Sequence, residues 1–72
     1  MPIPKHRRLL GEAIRSERKE AGFSQEKLAE KADLSTVFIS RIERGVESPS
    51  VDNLVKIARA LRVRVRDLAN EF

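Results

Sequence analysis

The residues with chemistry to offer lie close together, between Ser24 and Gly45 in the stretch SQEKLAEKADLSTVFISRIERG. That chemistry is hydrogen bonding and charge, not bond-making. Wound as a helix at about 100° per residue, Thr36, Val37, Ser40, Arg41 and Arg44 fall within roughly 140° of one another, and Ser35, Phe38, Ile39 and Ile42 fall on the other side. The second group is core. The first is small, polar and basic, with no obvious partner inside a chain of this size. Such a face fits the major groove of double-stranded DNA, which admits one α-helix and presents donor and acceptor edges to it. Catalysis has no comparable candidate: His6 is the only histidine, and there is no Cys, no glycine-rich loop and no carboxylate pair in an apolar setting. Neither an enzyme nor a metal, cofactor or small-molecule substrate is expected.

Those two faces need a scaffold, and the scaffold is small. With 72 residues, one domain spanning 1–72 is expected, near the lower limit for a single hydrophobic core. The absence of Cys removes disulfides and thiolate metal sites and suits a reducing compartment. No apolar run approaches about 18 residues and no signal-peptide pattern is present, so a soluble cytoplasmic protein without membrane association is expected. Fifteen Lys and Arg against eleven Asp and Glu leave a net charge of +4, and the pI is about 10.1. A polyanion is the first partner to consider.

Two prolines in Met1-Pro2-Ile3-Pro4 disfavour helix at the start, so residues 1–5 are expected as a flexible arm. A basic cluster, Lys5, His6, Arg7 and Arg8, leads into a helix from about 6 to 21 whose inner stripe is Leu10, Ile14 and Ala21, widened by Leu9 and Ala13. Gly22 ends it and Phe23 folds back on the core. Ser24 caps a second helix that buries Leu28, Ala29 and Ala32 and exposes Gln25 and Lys27 at its N-terminus, where an anion such as phosphate is favoured. Asp33 and Leu34 turn the chain, Ser35 caps the third helix and Gly45 ends it. Ser50 caps a fourth helix with the stripe Val51, Leu54, Ile57, Ala58 and Leu61, and a short fifth follows with Leu68 and Phe72 one turn apart. Arg62-Val63-Arg64-Val65-Arg66 alternates like a strand but has no pairing partner, which favours a linker.

From Leu10-Gly11 through Ile14-Arg15, Arg18, Ser24-Gln25, Leu28-Ala29, Ile39–Gly45, Pro49-Ser50 and Leu54 to Ile57-Ala58 and Ala60-Leu61, the chain resembles the Cro/CI-type (lambda-repressor-like, XRE) helix-turn-helix regulators. Within them it is similar to the small controller proteins of restriction–modification systems. The resemblance covers roughly residues 8–70. It implies an all-α fold of five helices with helices two and three as the helix-turn-helix. It places base contacts on Thr36, Val37, Ser40 and Arg41, and phosphate or base-edge contacts on Gln25 and Ser35; Lys27 at the start of helix two and Arg44 on the outward face of helix three are also expected to meet phosphates. It also implies an ion pair between Arg18 and Glu43, which suits a Glu at the border of the inner face that needs a cation when buried. The chain departs from the family pattern where Asp33 and Arg62 stand in place of Gly, Arg64 in place of a Ser-like cap, and Phe38 in place of the Tyr common in controller proteins. At 46–48, often basic in the family, it reads Val46-Glu47-Ser48.

The function implied is sequence-specific regulation of transcription from double-stranded DNA. An antitoxin-type autorepressor of a toxin–antitoxin operon is the alternative from the same fold, and a protein-interaction adaptor is a further one. One recognition helix reads too few base pairs to locate a site in a genome, so a homodimer on an inverted-repeat operator is expected. Val65, Ala69 and Phe72 on helix five are the candidate dimer surface, beside Arg62, Arg64 and Arg66.

Overall fold

The computed structural model describes residues 2–70, and its five helices follow one another with short connections: α1 (Lys5–Glu20), α2 (Gln25–Ala32), α3 (Thr36–Glu43), α4 (Val51–Leu61) and α5 (Val65–Ala69). No strand occurs among the described residues. This is the all-α arrangement expected, with the 62–64 segment a linker. The central helix starts are set by serine hydroxyls. Ser24 Oγ accepts from the Lys27 N–H at 3.0 Å, Ser35 Oγ from Phe38 N–H at 3.0 Å and Ser50 Oγ from Asn53 N–H at 3.1 Å. Each satisfies a backbone donor that the first helical turn leaves free, an interaction worth about 1 kcal/mol. α5 begins differently. Arg64 has no capping oxygen to offer, and the Asp67 carboxylate instead accepts from the Arg64 N–H at 2.9 Å.

The first four helices end alike. The residue just past each helix stands at positive φ, Gly22 at 77°, Asp33 at 57°, Gly45 at 76° and Arg62 at 59°. In each case the following N–H turns back to a carbonyl five positions earlier: Phe23 to Arg18, Leu34 to Ala29, Val46 to Arg41 and Val63 to Ala58, all within 2.9–3.1 Å. This is the Schellman closure, and it points the residue after the turn back along the helix. Phe23, Leu34 and Val63 accordingly pack on the core.

The core holds Leu10, Ile14, Leu28, Ala29, Ala32, Ile39, Ile42, Ile57, Ala58, Leu61 and Leu68. α1 packs on α3 and α5, α2 packs on α3 and α4, and α4 meets α5. Two positions assigned to the inner stripes lie outside. Ala21 is exposed, and the α1 stripe continues from Leu10 and Ile14 to Arg18, the next position at a spacing of four. Val51 is 76% exposed, because it opens α4 roughly 70° from the centre of the stripe formed by Leu54, Ile57, Ala58 and Leu61. The arm is also shorter than residues 1–5. Lys5 already belongs to α1, and Ile3 lies over Gly45, where a Cβ would meet Ile3 Cγ2 at 3.0 Å.

α1 and α3 cross at Gly11. A Cβ there would stand 2.4 Å from the Ile42 carbonyl oxygen and 2.6 Å from that of Glu43, both backbone atoms that cannot swing aside. Gly11→Ala is therefore expected to lower stability by about 3 kcal/mol, the upper end of overpacking costs. Arg62→Gly should act in the opposite sense and raise it by about 0.5–1 kcal/mol, since relief of the left-handed strain exceeds the entropy a glycine adds to the unfolded chain. Urea midpoints of the two variants, read beside the parent, check both signs.

Candidate nucleic-acid interface

α2 and α3 form a helix-turn-helix because the chain can reverse in three residues. Asp33 takes the left-handed conformation, Leu34 turns inward, and Ser35 starts the next helix in extended conformation at φ −79°, ψ 152°. An Asp costs less there than most residues with a Cβ. α3 then lays Ile39 and Ile42 into the core and half-buries Phe38.

What orients α3 against the rest is a buried ion pair. Arg18 Nε donates to Glu43 Oε2 at 2.7 Å and Arg18 Nη2 to Glu43 Oε1 at 3.1 Å, a bidentate fork with side chains only 10% and 2% exposed. Arg18 Nη1 donates to the Phe23 carbonyl at 2.8 Å, and Gln25 Nε2 donates to Glu43 Oε1 at 3.1 Å. One guanidinium thus joins α1, the turn after it and the end of α3, while the same carboxylate holds the first residue of α2. No buried side-chain polar atom among the described residues lacks a partner.

With its inner side held this way, α3 presents its other side outward. Thr36, Val37, Arg41 and Arg44 are exposed and Ser40 is half-buried. Val37, at 61% exposed, is an apolar side chain left in water. The candidate phosphate-contacting residues are not equivalent. Ser35 accepts from the Phe38 N–H, which leaves its own O–H proton to donate outward. Lys27 Nζ pairs with Glu30 Oε1 at 3.2 Å on the surface, and Gln25 is turned towards Glu43. Gln25 therefore has only its second amide proton and its backbone N–H for a partner outside. The basic start of α1 comes to the C-terminal end of α3: Arg7 Nη1 donates to the Val46 carbonyl at 3.5 Å, and a Cβ at Gly45 would meet Arg8 Cα at 3.2 Å. Arg8 also pairs with Glu12 at 3.1 Å.

The family described as helix-turn-helix matches residues 14–68, which span both helices of the motif and the elements that hold them. The chain belongs to that family, the Cro/CI-type (XRE) DNA-binding transcriptional regulators. It is 46% identical over 63 residues to the control protein C.BamHI of Bacillus amyloliquefaciens, covering 86% of this chain and 78% of that protein. Among solved structures it is similar to the restriction–modification controller protein C.AhdI from Aeromonas hydrophila, with a TM-score of 0.84 and 34% identity over 86% of this chain and 94% of that one. It is similar also to SinR, a master regulator for biofilm formation, in complex with DNA, with a TM-score of 0.79 and 40% identity over 82% of this chain and 95% of that one. Other regulators that it matches are longer, and the chain spans 38% of some and 58% of another. The fold is lambda-repressor-like.

Several contacts of this helix-turn-helix domain carry no clear signal in the sequence. Gly11 reads as an ordinary helix residue until α3 is seen to cross it. The Gln25–Glu43 bond spans 18 positions and shows only once Arg18 has drawn Glu43 inward. An ion pair between Arg41 Nη1 and Glu47 Oε1 at 3.7 Å depends on the loop geometry after Gly45. Of the candidate dimer residues, Val65 and Ala69 are half-buried, with Val65 packed against the core, and Phe72 lies outside the described residues. Among the described residues no three His, Cys, Asp or Glu side chains gather as a metal site, and no helix is long and apolar enough to cross a membrane.

The ion pair sets a clear expectation. Glu43→Ala leaves a buried guanidinium without its carboxylate and should cost about 3–5 kcal/mol, whereas Arg18→Met with Glu43→Leu should recover most of that loss. Urea denaturation of the single and double variants measures both.

Proposed function

We propose that this chain is a sequence-specific regulator of transcription that binds an inverted-repeat operator as a homodimer, with α3 of each copy in the major groove. The observation that carries this reading is the outward face of α3. Thr36, Val37, Ser40 and Arg41 stand together there with spare hydrogen-bonding and apolar surface, on a helix whose opposite face is locked by Ile39, Ile42 and Glu43. The base edges of the major groove call for that mixture. A guanidinium fork matches guanine O6 and N7, a hydroxyl suits several bases, and a Val methyl suits the thymine methyl. The relatives support the choice of ligand, since SinR was solved in complex with DNA and C.BamHI is named a control protein.

Around that face, Ser35, Arg44, Lys27 and the backbone N–H groups at the start of α2 with Gln25 are assigned to phosphates. Their contribution is indifferent to sequence. A homodimer supplies the length of site that one helix cannot read, and the part of Val65 and Ala69 left uncovered on α5 is the surface assigned to it, together with Phe72. Two-fold symmetry would set the third helices about 34 Å apart, one turn of DNA. A regulator of this kind works in the cytoplasm, where the DNA is.

Selection of bound sequences from a random duplex pool tests the reading, and an inverted repeat with half-sites about one turn apart is the expected product. On the recovered duplex, log K should fall with log salt by about 0.9 for each phosphate neutralised. Arg41→Ala should cost about 1–3 kcal/mol at one base position and relax discrimination there. An equal loss on every sequence would move Arg41 to the DNA backbone. For the dimer, Ala69→Asp should shift the sedimentation mass towards monomer and weaken binding to a full site far more than to a half-site. Monomeric parent protein at micromolar concentration, binding both sites equally, would overturn it.

A further inference from the structure

We infer that Glu47 is a specificity-determining residue that acts through Arg41, holding its guanidinium over the outward face of α3 and cancelling its long-range pull on phosphates while leaving its hydrogen-bond donors unspent. This rests on the proposed placing of α3 in the major groove.

The geometry begins with the end of α3. The Val46 N–H donates to the Arg41 carbonyl at 3.1 Å, so the chain folds back on the last turn and delivers Glu47 beside the Arg41 side chain. Arg41 Nη1 and Glu47 Oε1 stand 3.7 Å apart, with the two side chains 55% and 38% exposed. That separation is beyond hydrogen-bond reach but well inside Coulomb range. The Arg41 side chain makes no hydrogen bond among the described residues, so its five N–H donors stay available. Arg44, three positions on, has no ion-pair partner among the described residues. The two arginines of this face therefore differ: Arg44 carries a free charge, and Arg41 carries donors with the charge largely offset.

The difference matters because the two ligands ask for different things. A phosphate attracts a cation from a distance and in any orientation, and this attraction is the same on every sequence. A guanine edge asks for two donors in a fixed fork at short range. A carboxylate beside Arg41 subtracts from the first more than from the second. It also narrows the positions the long side chain samples, which lowers the ordering cost on docking.

The test compares Glu47→Gln, nearly isosteric and uncharged, with the parent protein in both the Arg41 and the Arg41→Ala background. Binding is measured by fluorescence anisotropy across a salt series, on a labelled mixed-sequence duplex and on the duplex recovered by selection. With Arg41 present, Glu47→Gln should raise mixed-sequence affinity about five- to tenfold at low salt and steepen the log–log slope by up to about 0.9. The preference for the selected duplex should narrow by a similar factor. In the Arg41→Ala background the same substitution should still strengthen both duplexes, and by the same factor, because a carboxylate repels phosphate with or without its partner. The preference between the duplexes should stay unchanged within about twofold, because Glu47 then has no side chain to act through. A preference that narrows equally without Arg41 would mean that Glu47 acts on phosphate alone, and an unchanged preference with Arg41 present would mean that it does not act through Arg41; either overturns the inference. If Arg41→Ala alone still loses discrimination at one base pair in those cases, the groove reading stands without Glu47. If Arg41→Ala is itself silent, the inference falls and Arg41 is no base contact, while the groove reading is still decided by the selected sequences.

Discussion

A single buried carboxylate governs how this domain is put together. Glu43 sits at the last helical position of α3, with its side chain almost fully removed from water. An ionised carboxylate in such a place costs several kcal/mol unless a cation and further donors meet it. Arg18 supplies two donors and Gln25 a third. Because the guanidinium is planar and the pair is bidentate, the contact fixes direction as well as distance. α3 cannot slide along α1 without breaking it. Gly11 enforces the same register by sterics, since only the absence of a Cβ lets the Ile42 and Glu43 carbonyls approach α1 so closely. A hydrophobic pair at 18 and 43 could match the stability but would leave the angle of α3 less sharply set.

The helix ends supply the second constraint. Four Schellman closures of the same form send Phe23, Leu34, Val46 and Val63 back along their helices. Three of these residues reach the core, which is how a chain of this length covers its centre without long loops. Val46 is the exception and stays half in water. At that end α3 already meets Ile3 and the first turn of α1, so the returning loop lies on the outside, and Glu47 reaches Arg41 for that reason. A closure used elsewhere for packing thus shapes the outward face of α3.

Local signals made most of this legible in the sequence. The serine caps, the glycines that end α1 and α3, and the spacing of Leu28, Ile39, Ile42, Ile57 and Leu68 each act over a few residues, so the pattern alone places the helices. Positive φ at Asp33 belongs to the same class, since Asp in a turn tolerates the left-handed conformation better than most residues with a Cβ. Legibility fails where the cause is tertiary. Ala21 and Val51 fit the helical period, yet one lies past the last neighbour of α1 and the other opens α4 at the edge of its stripe. Lys5 joins α1 despite the prolines before it, because Pro4 accepts the first backbone bonds from Arg7 and Arg8 at 3.1 Å. Gln25 reads as an exposed helix-start residue, and only the inward pull of Glu43 turns its amide away from solvent. Contacts between side chains distant in sequence have no period to betray them.

The distribution of charge gives these details a common sense. A surplus of four positive charges is modest for a chain that is to hold a polyanion, and four of its fifteen cationic side chains sit beside a carboxylate: Arg8 with Glu12, Lys27 with Glu30, Arg41 with Glu47 and Arg18 with Glu43. The first three are exposed, and such pairs add little stability, on the order of 0–1 kcal/mol, so folding accounts for the buried Arg18–Glu43 pair and not for them. On the proposed reading, their effect would be to lower the local field that holds the domain on any duplex. Specific binding is measured against that background, and a site competes with every other stretch of DNA. A domain that reads only a few base pairs per copy gains more from weakening the background than from adding cations. On the proposed reading, α3 keeps its hydrogen-bond donors while the charge beside Arg41 is trimmed, a balance that suits discrimination better than it suits affinity.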